Sequence, residues 1–343
     1  MKALRWYGRK DLRYEDIPAP SPGPGQVKVK INLAGICGTD LKEYTAGPCI
    51  IDPDKAPITV GHEFAGKVVE VGEGVTGFTV GERVTGEGYW VCGECYFCKR
   101  SMYNICLNLG FTGLHRDGCM AEYLIAPSYA LYKLPDSVSD EAGVLVEPLA
   151  VAIHAVRQGK VSLGDTVGIV GAGIIGLCTL LAARAAGASE VHVVAKHKGR
   201  GERALALGAT TVIYLNEGDP VQRVKNLTGG LGVDVSFECA GHTDTPQLAL
   251  DLTRNGGTTV IEGVFDKPAP LDFLSVMYNQ KTIVGSPIYV DEAKTAIALL
   301  ADKTIDPSRL ITSKVPLKDA VEMGFEQLLN NKEDNIKVLL QIP

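Results

Sequence analysis

The stretch Thr166-Val167-Gly168-Ile169-Val170-Gly171-Ala172-Gly173-Ile174-Ile175-Gly176 decides the fold. It opens as an apolar β run, passes through glycines spaced G-x-G-x-x-G, and continues into a helical pattern from Ile174 to Ala186. Glycine spacing alone is weak in a chain with 39 glycines; the strand before it and the helix after it give it meaning. Gly171 permits the tight turn, Gly173 lets the backbone approach a pyrophosphate, and Gly176 lets helix and strand pack closely. The helix start at Gly173, Ile174 and Ile175 then turns unsatisfied N–H groups toward the phosphates. The competing reading is a glycine-rich turn with no ligand.

Downstream, apolar β runs alternate with helical patterns. Strands are expected at Val191–Ala195, Thr211–Tyr214, Val233–Cys239, Thr258–Gly263 and Thr282–Val284, with a helix over Arg200–Leu207. Strands that are apolar throughout and alternate with helices imply a doubly wound parallel sheet covered on both faces, an α/β fold. Upstream, to about Pro135, the pattern is short strands such as Gln26–Leu33, Ala65–Val71 and Arg83–Gly86. They are cut by turns such as Pro22-Gly23-Pro24-Gly25. That punctuation predicts a β-rich barrel or sandwich. Helical spacing spans Asp140–Val156. The end of the chain mixes helices (Asp291–Leu300, Leu317–Leu329) with strands (Leu310–Val315, Ile336–Ile342). It is too short for a core of its own, so it should pack on another part.

The second strand of the α/β part bears on which dinucleotide fits. A carboxylate at its end, about 20 residues after the glycines, would hold the ribose hydroxyls of NAD. Here the strand ends in Ala195, followed by Lys196, His197, Lys198, Gly199 and Arg200. The missing acid and the cluster of cations predict NADP in preference to NAD. The alternative is a solvated basic turn beside an NAD site that lacks its acid.

Composition limits the rest. Hydrophobic residues make up 45% and charged residues 22%, the balance of a globular protein, and the length allows two domains. A net charge of −6 argues against a nucleic-acid partner. Met1–Tyr7 has no long apolar run, so no secretory signal is expected. The apolar stretch around Ile174–Ala186 is too short to span a bilayer, so no membrane role is expected. With nine cysteines and no signal, the expected setting is a reducing, cytoplasmic one in which thiolates bind metal.

Four of these cysteines, Cys92, Cys95, Cys98 and Cys106, follow the spacing C-x2-C-x2-C-x7-C. Four thiolates on a short loop can close a tetrahedral zinc site with no open position, which is a structural site. An iron–sulfur site of bacterial type would place its fourth cysteine sooner and follow it with proline, whereas Leu107 follows here. Cys49, Cys119, Cys178 and Cys239 read as packing residues, as His115 and His154 read as structural.

A second, dispersed set comprises Cys37 in Gly35-Ile36-Cys37-Gly38-Thr39-Asp40, His62 and Glu63 in Gly61-His62-Glu63, and Glu147 in Val146-Glu147-Pro148-Leu149-Ala150. Taken singly they suit a core cysteine, a surface histidine and a helix-start carboxylate equally well. Together a thiolate, an imidazole and a carboxylate make a three-ligand zinc set that leaves one position for substrate.

These motifs, with Val60-Gly61-His62-Glu63-Phe64, Tyr103-Asn104-Ile105-Cys106 and Leu109-Gly110-Phe111, resemble the zinc-containing medium-chain dehydrogenase/reductase family, nearest its butanediol/sorbitol dehydrogenase branch, nearly end to end. The resemblance implies a discontinuous GroES-like catalytic domain, residues 1–150 and 287–343, around a Rossmann domain of residues 151–286. It implies that Cys37, His62 and Glu147 bind a catalytic zinc, with Glu63 a nearby carboxylate able to approach the metal. Asp40 would fix the orientation of His62, Thr39 would bond the substrate oxygen, and Tyr44 would line the substrate pocket. Where many relatives carry a histidine that passes the proton to solvent, this chain has Lys42. Lys42 either takes over that task or stands exposed beside the cofactor while the proton leaves through water.

The implied reaction is hydride exchange between NADP(H) and a secondary alcohol or ketone, with a vicinal diol or polyol such as 2,3-butanediol/acetoin favoured. Sorbitol, sugar or threonine dehydrogenation is the alternative, and a nucleotide-binding protein that keeps the fold without the chemistry is a third reading. The last predicts loss of a catalytic ligand, yet Cys37, His62, Glu63 and Glu147 are all present. The family also leads one to expect a dimer or tetramer.

Overall fold

The computed structural model describes residues 1–343. The first half is built on strands. β1 (Lys2–Gly8) and β2 (Asp11–Asp16) form an antiparallel hairpin that sequence patterning missed. Then come β3 (Gln26–Gly35), the helix α1 (Gly38–Ala46), β4 (Ile58–Thr59), β5 (Glu63–Val71), β6 (Arg83–Gly86), β7 (Tyr89–Trp90), β8 (Gly110–Phe111), β9 (Tyr123–Pro127) and β10 (Leu131–Lys133). In β3 the inward positions Val27, Val29 and Ile31 are fully buried while Lys30 points out, the alternation of a sheet with one face on a core.

The helical stretch expected over Asp140–Val156 is two helices, α2 (Asp140–Val144) and α3 (Val146–Gln158), broken at Leu145. Pro148 explains the break. A proline lacks the N–H that an interior position needs but is tolerated in a first turn, so a new helix must begin just before it. That restart puts Glu147 on the first turn of α3.

The second half alternates β11 (Thr166–Val170), α4 (Ile174–Ala185), β12 (Glu190–Ala195), α5 (Lys198–Ala206), β13 (Thr211–Tyr214), α6 (Pro220–Leu227), β14 (Val233–Glu238), α7 (Thr245–Leu252), β15 (Thr253–Ile261), α8 (Phe273–Tyr278) and β16 (Thr282–Gly285). These six strands make one sheet in the order β13-β12-β11-β14-β15-β16, with every pair parallel. The order reverses between β11 and β14, and that crevice is where open α/β sheets bind ligands.

The chain ends in α9 (Glu292–Ala301), β17 (Ile311–Pro316), α10 (Glu326–Asn330) and β18 (Lys337–Gln341). The helix expected over Leu317–Leu329 is interrupted by a π-helical turn, Ala320–Phe325. Gly324 lies there so close to Ile36 that a β-carbon would stand 2.7 Å from Ile36 Cδ1. β18 returns to the first sheet, antiparallel to β3 and parallel to β17, giving the order β10-β6-β5-β3-β18-β17, with β9 also on β3. An apolar cluster of 41 buried residues runs from Leu33 and Ala65 through α3 to Val167 and Ile169, so the two sheets share a core across α3. No helix is long and apolar enough to cross a membrane.

One buried polar network bolts α3 to α9 and to the loop that carries the four cysteines. Asn104 and Gln158 donate to Nε2 of His154 at 3.3 and 3.4 Å, which leaves Nδ1 to donate to Glu292 at 3.1 Å. Burial alone would raise the Glu292 carboxyl; the bonds from His154, the Val290 amide and Arg157 outweigh it and hold it down at about 2. A group depressed from the ordinary carboxylate value stabilises the fold fully above that value and loses the effect as pH falls toward the folded one. Glu292→Gln is therefore expected to lower stability at neutral pH by on the order of 2 kcal/mol. In urea unfolding the gap to wild type should narrow as pH drops from about 5 toward 3. A gap that does not depend on pH would contradict this account.

Candidate active site

The dispersed set converges. Cys37 is the N-cap of α1, and its backbone N–H is accepted by Asp40 Oδ2 at 2.9 Å, as in a capping box. The other oxygen of Asp40 faces Nδ1 of His62 at 4.0 Å, and both atoms are buried without another partner. Asp40 thus fixes the backbone of Cys37 and faces the ring of His62. Donor atoms of Cys37, His62 and Glu63 all lie within 4.8 Å of one another. His62 is drawn well above its ordinary pKa. Burial opposes the charge, and the Cys37 thiolate, its hydrogen bond, Asp40 and Glu147 overcome it. Thr39 lies beside the set, with Oγ1 3.6 Å from Cys37 Sγ.

Two carboxylates flank these donors. Glu63, expected to be able to approach the metal, is the one within the 4.8 Å group. Glu147 lies outside that group, near enough to act electrostatically on His62. Burial pushes Glu147 up to about 7, with His62 pulling it back. Glu63 is already engaged: Lys337, at the start of β18, donates to both of its oxygens at 2.8 and 2.6 Å and to the Ile36 carbonyl at 2.9 Å. Both partners of this pair are shut off from solvent, at 0% and 1% side-chain exposure. Sequence reading missed Lys337, because a lysine inside an apolar strand has no local signature.

A divalent cation suits this donor set. A thiol, an imidazole and a carboxyl group converge within 4.8 Å, and three such ligands leave one position of a tetrahedral ion open. The four-cysteine loop suits one differently. Sγ of Cys106 is 3.4 Å from that of Cys92 and 4.0 Å from that of Cys95, and Cys92 is 4.0 Å from Cys98. Tetrahedral zinc thiolates place their sulfurs about 3.8 Å apart. Amides of Cys98 and Leu107 lower the Cys95 thiol to about 6, ready to ligate.

The glycine turn keeps its expected geometry. Gly176 packs so tightly that a β-carbon would stand 1.9 Å from the Gly171 carbonyl oxygen, and no side chain caps the helix start at Gly173. Beyond β12, Ala195 is buried, and two of the basic residues that follow it, His197 and Arg200, are engaged. His197 Nδ1 pairs with Glu333 at 2.9 Å, and Arg200 donates to the Lys332 and Asn335 carbonyls at 2.6 and 2.9 Å. Nη1 of Arg200 reaches to 3.9 Å from where a β-carbon on Gly173 would stand.

Tyr44 shares the buried face of α1 with Asp40, four positions earlier. Its ring packs edge-on against Phe325 at 5.4 Å and its hydroxyl bonds Glu326 at 2.7 Å. Lys42 reaches from α1 to Asp266 at 2.5 Å, joining the β-rich part to the loop after β15. Cys49, expected to pack, is exposed.

Comparison with known proteins agrees with this architecture. Residues 23–136 match the alcohol dehydrogenase GroES-like domain and residues 175–302 the zinc-binding dehydrogenase domain. (R,R)-butanediol dehydrogenase of Bacillus subtilis is 38% identical, with 99% of each chain covered. The crystal structure of 2R,3R-butanediol dehydrogenase from that organism superposes with a TM-score of 0.92 at 37% identity, covering 99% of both chains. Sorbitol dehydrogenase of B. subtilis is 33% identical over 99% of this chain and 97% of its own. A zinc-binding dehydrogenase of Sinorhizobium meliloti bound to NADP superposes with a TM-score of 0.89 at 32% identity, over 99% and 98% of the chains.

The Lys337–Glu63 pair generates a test. Removing one partner of a buried pair strands the other charge, whereas removing both is often close to neutral. Lys337→Met should destabilise the protein by about 3–5 kcal/mol in denaturant unfolding. Glu63→Gln combined with Lys337→Met should recover most of that loss. Equal stability of the single variant and wild type would show that the pair does not hold β18 in place.

Proposed function

Because the chain belongs to the zinc-dependent alcohol dehydrogenase family, we propose that it is an oxidoreductase passing hydride between NADP(H) and a secondary alcohol or ketone, with a vicinal diol or polyol such as 2,3-butanediol/acetoin as substrate. The observation that carries this reading is the convergence of Cys37, His62 and Glu63 within 4.8 Å. Cys37 and His62, with Glu147 as third donor, would hold the catalytic zinc, and Cys92, Cys95, Cys98 and Cys106 would hold a second, closed one. Residues 1–150 and 287–343 act as the catalytic part and 151–286 as the nucleotide part, a division favoured by the pairing of β18 with β3.

A bound zinc supplies Lewis acidity at the alcohol oxygen. The chain's own residues do the rest. The Thr39 hydroxyl takes the alcohol proton and passes it to solvent, and hydride leaves the carbinol carbon for the nicotinamide, so the substrate becomes a ketone as NADP+ becomes NADPH. Asp40 keeps the His62 ring in register by facing its Nδ1. Lys42, held by Asp266, braces the two halves across the cleft, and water carries the proton out. The amides at Gly173, Ile174 and Ile175 receive the pyrophosphate. Lys196, Lys198 and Arg200 favour a 2′-phosphate, and the NADP found in the S. meliloti relative supports that choice. The alternative substrates are sorbitol, sugars and threonine, and the similar identity of a sorbitol dehydrogenase keeps the first of these in view.

Metal analysis should find about two zinc per chain. Cys37→Ser should remove one of them and abolish turnover while nucleotide binding persists; substantial residual turnover would contradict the ligand role. Initial rates on butanediol isomers, sorbitol and threonine, each with NADP and NAD, should be highest for a vicinal diol with NADP. A strong preference for NAD would overturn the NADP assignment.

A further inference from the structure

The strand that lacks a ribose-binding acid acquires a carboxylate from elsewhere in the chain. Val170 pairs with Val194, so Ala195 lies one strand over from the glycine turn, where a ribose hung from the pyrophosphate would cross. Into this place comes Glu333, 136 positions from His197 in sequence. One carboxylate oxygen bonds His197 Nδ1 at 2.9 Å, and the other accepts the Gly199 amide, also at 2.9 Å. The approach needs glycine at 199, because a β-carbon there would stand 2.4 Å from the Glu333 carbonyl oxygen. The backbone of the turn is clamped: Arg200 holds the carbonyls of Lys332 and Asn335, and Arg203 reaches that of Asp334 at 3.4 Å. The side chain of Glu333 is 51% exposed.

We propose that Glu333 is the residue that sets the dinucleotide preference. Its carboxylate occupies the Gly199 amide and the His197 ring, donors that a 2′-phosphate would use, and it accepts the ribose hydroxyls when no phosphate is present. This rests on the reading of residues 171–176 as the pyrophosphate seat. A phosphate and a carboxylate cannot share one amide, so NADP must displace Glu333 or bind against its charge. Lys196, Lys198 and Arg200 pull toward NADP while Glu333 pulls toward NAD, and the preference of the protein is the difference of the two. The basic turn, read alone, overstates the pull toward phosphate.

The test uses the zinc-loaded full chain and its Glu333→Gln and Glu333→Lys variants. Dissociation constants are measured by calorimetry for NADP and NAD, and for adenosine 2′,5′-bisphosphate and 5′-AMP as probes of the adenosine end alone. Removing one like charge at contact range should shift the ratio toward the phosphorylated ligand by about tenfold in Glu333→Gln, and further in Glu333→Lys. A ratio that stays within about twofold of wild type overturns the proposal, given that scale. So does an equal weakening of both ligands in a pair, which would mark the turn as scaffold only. Wild type preferring NAD would sink the NADP assignment while leaving the role of Glu333 to the variants. Wild type binding neither nucleotide would sink both.

Discussion

An ammonium and a carboxylate with no access to water hold the last strand of this protein against its candidate reaction centre. Taking two such charges out of water costs several kcal/mol each, and a pair of this kind survives only when its geometry satisfies the remaining donors and acceptors. Lys337 meets that condition with both oxygens of Glu63 and the carbonyl of Ile36. Ile36 directly precedes Cys37, so the same ammonium touches the carboxylate and the backbone that lead into the donor cluster. The placement of β18 beside β3, with Leu339 opposite Gly35, is therefore tied to the chemistry of the site as well as to the burial of Val338 and Leu340.

The few residues before that strand extend the coupling. Glu333 lies on the loop after β12 and Lys337 on the donor cluster, four positions further along. A short segment thus joins the start of α5 to the donor cluster. Lys42 makes a second bridge between the halves through Asp266. The acid of that second bridge is 76% exposed, so solvent screens the pair.

What could be read from the sequence was local. The glycine turn lies between a strand and a helix that announce themselves by periodicity, and the four cysteines fall within one loop, so spacing alone reports proximity. Cys37, His62, Glu63 and Glu147 are separated by long stretches, and only resemblance to a family joined them; their relative order around the centre, with Glu63 nearer than Glu147, needed coordinates. Glu333 and Lys337 had no signature at all, because their partners lie 134 and 274 positions away. Periodicity failed in one instructive way. It ran α2 and α3 together, since apolar spacing does not register that Pro148 demands a fresh first turn.

The two donor clusters differ in what surrounds them, and the surroundings assign their roles. The four thiols are half-buried on a loop, their sulfurs close to one another, with backbone amides of Cys92 and Asn108 already bonded to Cys106. A cation there meets a complete shell and offers nothing to a substrate. The pocket around Cys37 is built the other way. Three buried carboxylates, Asp40, Glu63 and Glu147, crowd around Cys37 and His62, with the ammonium of Lys337 among them. Burial and mutual repulsion accordingly raise Asp40 above the ordinary carboxylate value and carry Glu147 to about 7. A cation that enters such a pocket relieves the repulsion that the fold has built into it, which is why this cluster, unlike the four thiols, can bind metal and still offer a position to a further ligand.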